Sequence, residues 1–154
     1  MSDAPDRSGF DPTDRASYAT WTRDVVRYRD LDPNGHVNNG AINEFFEDGR
    51  VHFRRERMAA LGDAVLTGFA VARFAATYRA PLRHPATVEI GTVVTRIGTS
   101  SFTLGQGVFV EARCIATAEV VSVFIDHETG KSRPLTEAVR AALEGALWQP
   151  PAGG

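Results

Sequence analysis

Residues 30–40 read DLDPNGHVNNG: two Asp, three Asn, a His, a Pro and two Gly packed together just before a helical pattern. The opening six match the start of a calcium loop, with oxygen ligands at the first, third and fifth places and Gly35 at the sixth. Such a loop needs a bidentate Glu at its twelfth place, which is Ala41, and a helix in front. The preceding WTRDVVRYR (21–29) is rich in Val, Trp, Tyr and Thr and reads as a strand instead. The stretch is therefore a turn that carries the chain from a strand into a helix.

That helix is expected from about Asn39 to Leu61. Ile42, Phe45, Phe46, Gly49 and Phe53 recur at spacings of three and four, opposite a face holding Glu44, Asp48 and Arg55. Asn38 or Asn39 suits the N-cap and Gly62 the stop. Farther along, 68–78, 86–97, 100–110 and 114–125 read as four strands separated by short turns. Residues 134–147 form a terminal helix capped by Thr136. Short turns demand antiparallel neighbours. A five-stranded antiparallel sheet curled around one long helix, an α+β domain, follows. Residues 1–18 are expected as a mobile arm, 19–148 as the single domain and 149–154 as a frayed tail.

At 154 residues, 43% hydrophobic and 23% charged, the chain suits one soluble domain with a substantial core. A net charge of −2 indicates no nucleic-acid partner. No run approaches the ~18 apolar residues of a membrane span. The opening MSDAPDRSGFDPTDR lacks the apolar centre of a secretory signal. Cys114 stands alone, which excludes an intrachain disulfide and fits a cytoplasmic location. The four histidines have no zinc-ligand spacing, GTSSF lacks the last Gly of a nucleophile elbow, and GQGVFV lacks the third Gly of a dinucleotide fingerprint. No metal or cofactor is implied.

A helix start offers unpaired backbone N–H groups and partial positive charge, which suits a developing oxyanion. Asn39 and Gly40 stand at that position, and Gly40 lets a ligand approach the backbone. Asp32 is the candidate carboxylate, although a turn residue bonding nearby amides is the plainer reading of an Asp there. Asp30, two residues earlier, faces the other way and is read as structural, paired with an Arg. His36 suits polarising a carbonyl, orienting water or simply fixing the loop. Glu47, two turns into the helix, reads as an i, i+3 ion pair with Arg50.

Taken together, Tyr28-Arg29-Asp30-Leu31-Asp32, Gly35-His36-Val37-Asn38-Asn39 and Glu47 with Arg50 resemble hot-dog fold thioesterases of the 4-hydroxybenzoyl-CoA thioesterase type. The HVNN spelling is also similar to plant acyl-carrier-protein thioesterases and short bacterial acyl-CoA thioesterases. YRAPLR (78–83) and RIGTSS (96–101) look like the family's second-strand end and the turn before its fourth strand. The likeness covers residues 21 to about 135. It implies an acyl-CoA substrate, with Asp32 as nucleophile or as the base that activates water, Glu47 as the reserve base on the helix, and Asn38 orienting the loop or a water. It also implies a homodimer or homotetramer with the substrate between protomers. Ile42 and Phe46 are the expected acyl wall; Arg83, Arg96, Gly98, Ser100 and Ser101 are the expected CoA contacts. Many relatives carry an aromatic residue where this chain has Ile42, so the wall is more aliphatic here. A hot-dog hydratase or dehydratase and a non-catalytic acyl-CoA-binding domain are the alternatives, and D-x-D-x-x-G-H-V-N-N argues against the first.

Overall fold

The computed structural model describes residues 9–152. Five strands, β1 (Thr20–Val25), β2 (Phe69–Tyr78), β3 (Thr87–Ile97), β4 (Ser101–Val110) and β5 (Arg113–Phe124), form one sheet in the order β1-β3-β4-β5-β2. Every pairing is antiparallel. The long helix α1 (Asn39–Met58) lies against one face; α2 (Asp63–Leu66) is a single turn, and α3 (Glu137–Glu144) packs beside β3. This is the expected hot-dog arrangement, an α+β domain.

Alternation along the strands explains why the sheet holds the helix. Ile90, Val94, Leu104, Val108 and Val120 turn inward and meet Phe45, Phe46 and Phe53 of α1, all buried. A Cβ on Gly49 would come within 2.6 Å of Ile90 Cγ2, so its absence sets how closely helix and sheet approach. A polar link crosses the same contact. Gln106, fully buried on β4, donates through Nε2 to Phe46 O and Thr92 Oγ1, both at 3.0 Å, and accepts from Arg50 Nη1 at 3.2 Å. All three bonds satisfy groups that would be costly to bury alone.

The strand expected over 21–29 ends at Val25. Its continuation turns because Asp30, buried, accepts the Arg27 amide through Oδ2 at 2.8 Å and closes a 3-10 turn over Tyr28–Asp30. The partner of Asp30 is thus a backbone N–H rather than an Arg guanidinium. The helix likewise ends at Met58, and a 3-10 turn carries the chain to Gly62 at φ +95°.

The expected arm is, from residue 9 on, packed on the outer face of the sheet; residues 1–8 lie outside the described residues. Phe10 stacks edge-on against Tyr18 and Trp148, and Tyr18 against Trp21 and Phe109. Three strand glycines make room for the rings. A Cβ on Gly105 would meet Phe10 at 2.8 Å, one on Gly91 would meet Tyr18 at 2.5 Å, and one on Gly107 would meet the Tyr18 hydroxyl at 2.7 Å. Arg15 closes the cluster, stacked over Trp21 at 4.4 Å and bonded to Glu89 at 3.1 Å. Beyond α3, Val94 donates to Ala146 O and Trp148 to Val94 O, filling the edge of β3 where β1 stops. Of the expected tail, Gln149–Ala152 are outside any helix or strand, and 153–154 lie outside the described residues.

Candidate active site

The 30–40 stretch forms a closed turn. Leu31 and Val37 pair as an isolated bridge, Asp32 donates its amide to His36 O at 2.7 Å, and Gly35, at φ +78°, donates to Asp32 O at 3.0 Å. A positive φ at this position favours Gly. Asp32 Oδ1 accepts the amides of Asn34 at 2.8 Å and His36 at 3.1 Å, the bonding expected of a turn aspartate. Oδ2 accepts no hydrogen bond among the described residues.

Asn38 is the cap and the hinge between turn and helix. Its amide and Nδ2 both donate to Asp30 O at 2.9 Å, and its Oδ1 accepts Ala41 N–H at 2.7 Å. Buried Asp30 thereby holds the cap in place. The next two amides, those of Asn39 and Gly40, donate to nothing among the described residues, as geometry requires at a helix start. Both residues are exposed.

A cleft of about 470 Å³ joins these groups. Asp32, His36, Val37, Asn38 and Asn39 line one side; Tyr78, Arg79, Ala80, Pro81 and Leu82, at the end of β2 and beyond it, line the other. Two bonds tie the walls together: Val37 N–H to Leu82 O at 2.8 Å, and Tyr78 Oη to Asn43 Oδ1 at 2.6 Å. A half-buried carboxylate with one uncommitted oxygen therefore shares a hollow with a helix start bearing unpaired N–H donors. Such an arrangement can direct an attacking oxygen and accept a developing negative charge.

The second wall was not apparent as a site in the sequence. YRAPL carries no acid, base or nucleophile pattern; its role comes from where β2 ends.

Other expected site residues lie elsewhere in a single chain. Ile42 and Phe46 are core, 3% and 0% exposed, with Phe46 packed on Phe74 at 5.8 Å. They occupy the stripe of α1 that faces its own sheet, so neither lines the Asp32 cleft. Glu47 is exposed and borders a separate hollow of about 170 Å³ with Asn43, Glu44, Arg50 and Phe74. Eight positions past Asn39, it stands about 12 Å farther along the helix axis. Its expected ion pair with Arg50 does not form; Arg50 is buried and bonds Gln106, and burial lowers its pKa while the Glu47 charge opposes that. Arg96, Gly98, Ser100 and Ser101 sit at the β3–β4 turn, where Gly98 N–H donates to Ser101 O at 2.7 Å. The register puts that turn at the end of the sheet away from Asp32: β3 begins at Thr87, opposite Val25, and runs eleven residues, roughly 33 Å, to Ile97. Arg83 is exposed one residue past Leu82, adjacent in sequence to the cleft wall.

Comparison with known proteins bears on the fold and the family. No curated protein matches the chain by sequence. Among solved structures it is similar to a predicted thioesterase from Bacillus stearothermophilus, at 25% identity and TM-score 0.77, over 84% of this chain and 97% of that one. A thioesterase from Thermus thermophilus complexed with coenzyme A and zinc matches at 30% identity and TM-score 0.73, over 84% and 95%. The PA5185 protein of Pseudomonas aeruginosa matches at 26% identity and TM-score 0.76, over 87% and 95%. The profile of the thioesterase-like superfamily matches residues 26–143, from the turn before the site through α3, and the chain belongs to that superfamily.

Proposed function

We propose that this protein is a thioester hydrolase that cleaves an acyl-CoA to a free acid and CoA. One observation carries the reading: Asp32, with its open oxygen, and Asn39, the first residue of α1, line the same cleft, and Gly40 is next in the chain. The thioester carbonyl points its oxygen at the Asn39 and Gly40 N–H groups. Asp32 Oδ2 then attacks the carbonyl carbon, or takes a proton from a water that does. The carbon–sulfur bond breaks as the tetrahedral oxyanion collapses, and CoA leaves as its thiolate and takes up a proton. After direct attack, a water then hydrolyses the acyl–Asp32 anhydride, which frees the acid and restores the carboxylate. Removing one oxyanion donor costs roughly 2.7–4 kcal/mol of barrier in other enzymes, so two amides account for much of the catalysis. His36 and Asn38 act as positioning groups, His36 through the amide it gives Asp32 and Asn38 through the cap.

The CoA part of the reading is supported by the Thermus thermophilus relative, which was solved with coenzyme A. With Ile42 and Phe46 committed to the core, the acyl group meets Tyr78, Ala80 and Pro81 and a second copy of the chain. Edge strand β2 supports that assembly: Val71 is 48% and Tyr78 40% exposed on a strand with one side unpaired. We place the enzyme in the cytoplasm, where the lone Cys114 stays a thiol; no helix among the described residues is long and apolar enough to cross a membrane.

The test is thiol release from short, long and aromatic acyl-CoAs, followed with a chromogenic disulfide. Release by wild type, lost in Asp32→Asn and Asp32→Ala, is the expected result. Hydration of an enoyl-CoA without thiol release assigns the protein to the hydratases instead, and saturable binding without turnover makes it an acyl-CoA-binding domain. An acyl-Asp32 anhydride trapped with hydroxylamine as the Asp32 hydroxamate, or solvent oxygen-18 appearing in Asp32 after single turnover, assigns direct attack.

A further inference from the structure

A second cavity, of about 320 Å³, lies on the outer face of the sheet, away from α1. Its floor crosses four strands at short side chains: Thr95 on β3, Gly105 on β4, Thr117 on β5 and Thr77 on β2. Phe10 of the N-terminal segment forms one wall, its ring lying directly over Gly105. The opposite rim is β2 and the residue just past it, with Arg73 and Arg79 lining the cavity. Arg79 also lines the Asp32 cleft, so the two hollows meet at its side chain. That side chain is laid along the outer face, with Nε donating to Thr117 Oγ1 at 3.1 Å.

We infer that this trough takes the coenzyme end of the substrate: the pantetheine arm leaves the Asp32 cleft over Arg79, and the diphosphate is held by Arg73. The inference rests on the acyl-CoA reading above. Its dimensions agree. From sulfur to the first phosphate oxygen the arm has about twelve bonds, as many as four peptide units, or about 14 Å extended. Arg73 lies on β2 and Arg79 one residue past its end, where the Arg79 amide still bonds Ile115 O; six positions apart, they are about 20 Å from each other by the strand rise. An arm that starts in the cleft beside Arg79 therefore delivers the diphosphate within reach of Arg73, whose side chain is 59% exposed. Arg73 pairs with Glu119 at 3.2 Å across exposed surface, and a phosphate offers its guanidinium a stronger, bidentate partner. The threonine floor suits the two amides of the arm, and Phe10 supplies an apolar side.

The experiment compares kcat/KM for one acyl group carried on CoA and on pantetheine, and titrates CoA into each variant by calorimetry. In Arg73→Ala the CoA-to-pantetheine ratio falls about tenfold and CoA binds about tenfold more weakly, the size of one lost charged hydrogen-bond pair. Arg73→Lys recovers part of both. Arg55→Ala, which removes an exposed arginine away from the trough, keeps the wild-type ratio. An unchanged ratio in Arg73→Ala, or the tenfold fall appearing in Arg96→Ala instead, overturns the inference. If wild type hydrolyses acyl-CoA and Arg73→Ala matches it, the trough alone is lost. If wild type hydrolyses none but Arg73→Ala still weakens CoA binding, the trough stands and the hydrolase reading falls.

Discussion

In the proposed hydrolysis Asp32 has two separable jobs, and two substitutions divide them. Its Oδ1 holds the turn by two amide bonds, while Oδ2 accepts no hydrogen bond among the described residues and is the oxygen assigned to that hydrolysis. Asparagine keeps an acceptor for both amides but has no carboxylate. Asp32→Asn should therefore unfold within about 1 °C of wild type while kcat drops by about 10²–10⁴, the usual size of a lost acid–base group. Asp32→Ala loses the turn bonds as well, each worth about 0.5–1.5 kcal/mol, so its melting point falls by several degrees too. Wild-type turnover in Asp32→Asn would leave the residue a turn former only. A second carboxylate behaves differently. The Asp48 pKa is pushed up to about 6, first by a hydrogen bond with the Asp24 side chain, then by burial and by the charges of Asp24 and Glu47; Arg27 opposes this. A carboxyl whose folded pKa is raised gives stability that is full below its unfolded value near 3.8 and is lost as pH climbs through about 6. Asp48→Asn should thus melt above wild type at pH 7.5, by the few tenths of a kcal/mol typical of exposed charges. The gap should close toward pH 4; a gap independent of pH would rule out the shared proton. Of these residues, Asp32 could be picked out in the sequence through its turn, because its partners are two and four positions away. The Asp24–Asp48 contact could not, since only the packing of α1 on β1 creates it.

At the scale of elements, periodicity was a sufficient guide wherever one face is buried and one is wet. It gave α1 and the four later strands within a few residues. It failed where an element's neighbours decide. Ile42 and Phe46 belong to the same apolar stripe as Phe45 and Phe53, and nothing in that spacing tells a pocket wall from a core contact; the curl of the sheet over α1 decides it. Gly105 and Gly107 in LGQGVF resemble a damaged nucleotide motif until Phe10 and Tyr18 are seen lying on them. Gly49 is the sharpest case, because two effects oppose. Alanine gains about 1 kcal/mol of helix propensity over glycine. Its Cβ would also come to 2.6 Å from Ile90 Cγ2 and 3.0 Å from Gln106 Nε2, both fully buried. Overpacking of this kind costs about 1–3 kcal/mol, and here it also strains the Arg50–Gln106 link, so packing wins. Gly49→Ala should lower the melting temperature by a few degrees. A higher one in differential scanning calorimetry would mean that α1 can lift off the sheet without cost.

At the scale of the molecule, the two edges of the sheet are treated differently. The β1 side is completed by the chain itself, with residues 146–148 bonded to β3 beyond the end of β1. The β2 side is left open, and its last residues form a wall of the Asp32 cleft. An edge strand that pairs with its own copy across a two-fold axis perpendicular to the sheet does so antiparallel, joining the two sheets and bringing a second chain beside each cleft. The wild-type chain of 16.7 kDa should therefore sediment as a dimer or larger. Lysine on an edge is the device natural sheets use to prevent such pairing. Val71 is the position to place it, because its 48% exposure keeps the cost within the folded chain to about 0.5 kcal/mol. Val71→Lys should shift sedimentation to the single-chain mass, keep the far-ultraviolet dichroism of wild type and lose at least tenfold in kcat/KM. Dissociation without loss of activity would mean that one chain closes its own acyl site. A wild type that is monomeric and fully active would remove the need for edge pairing altogether.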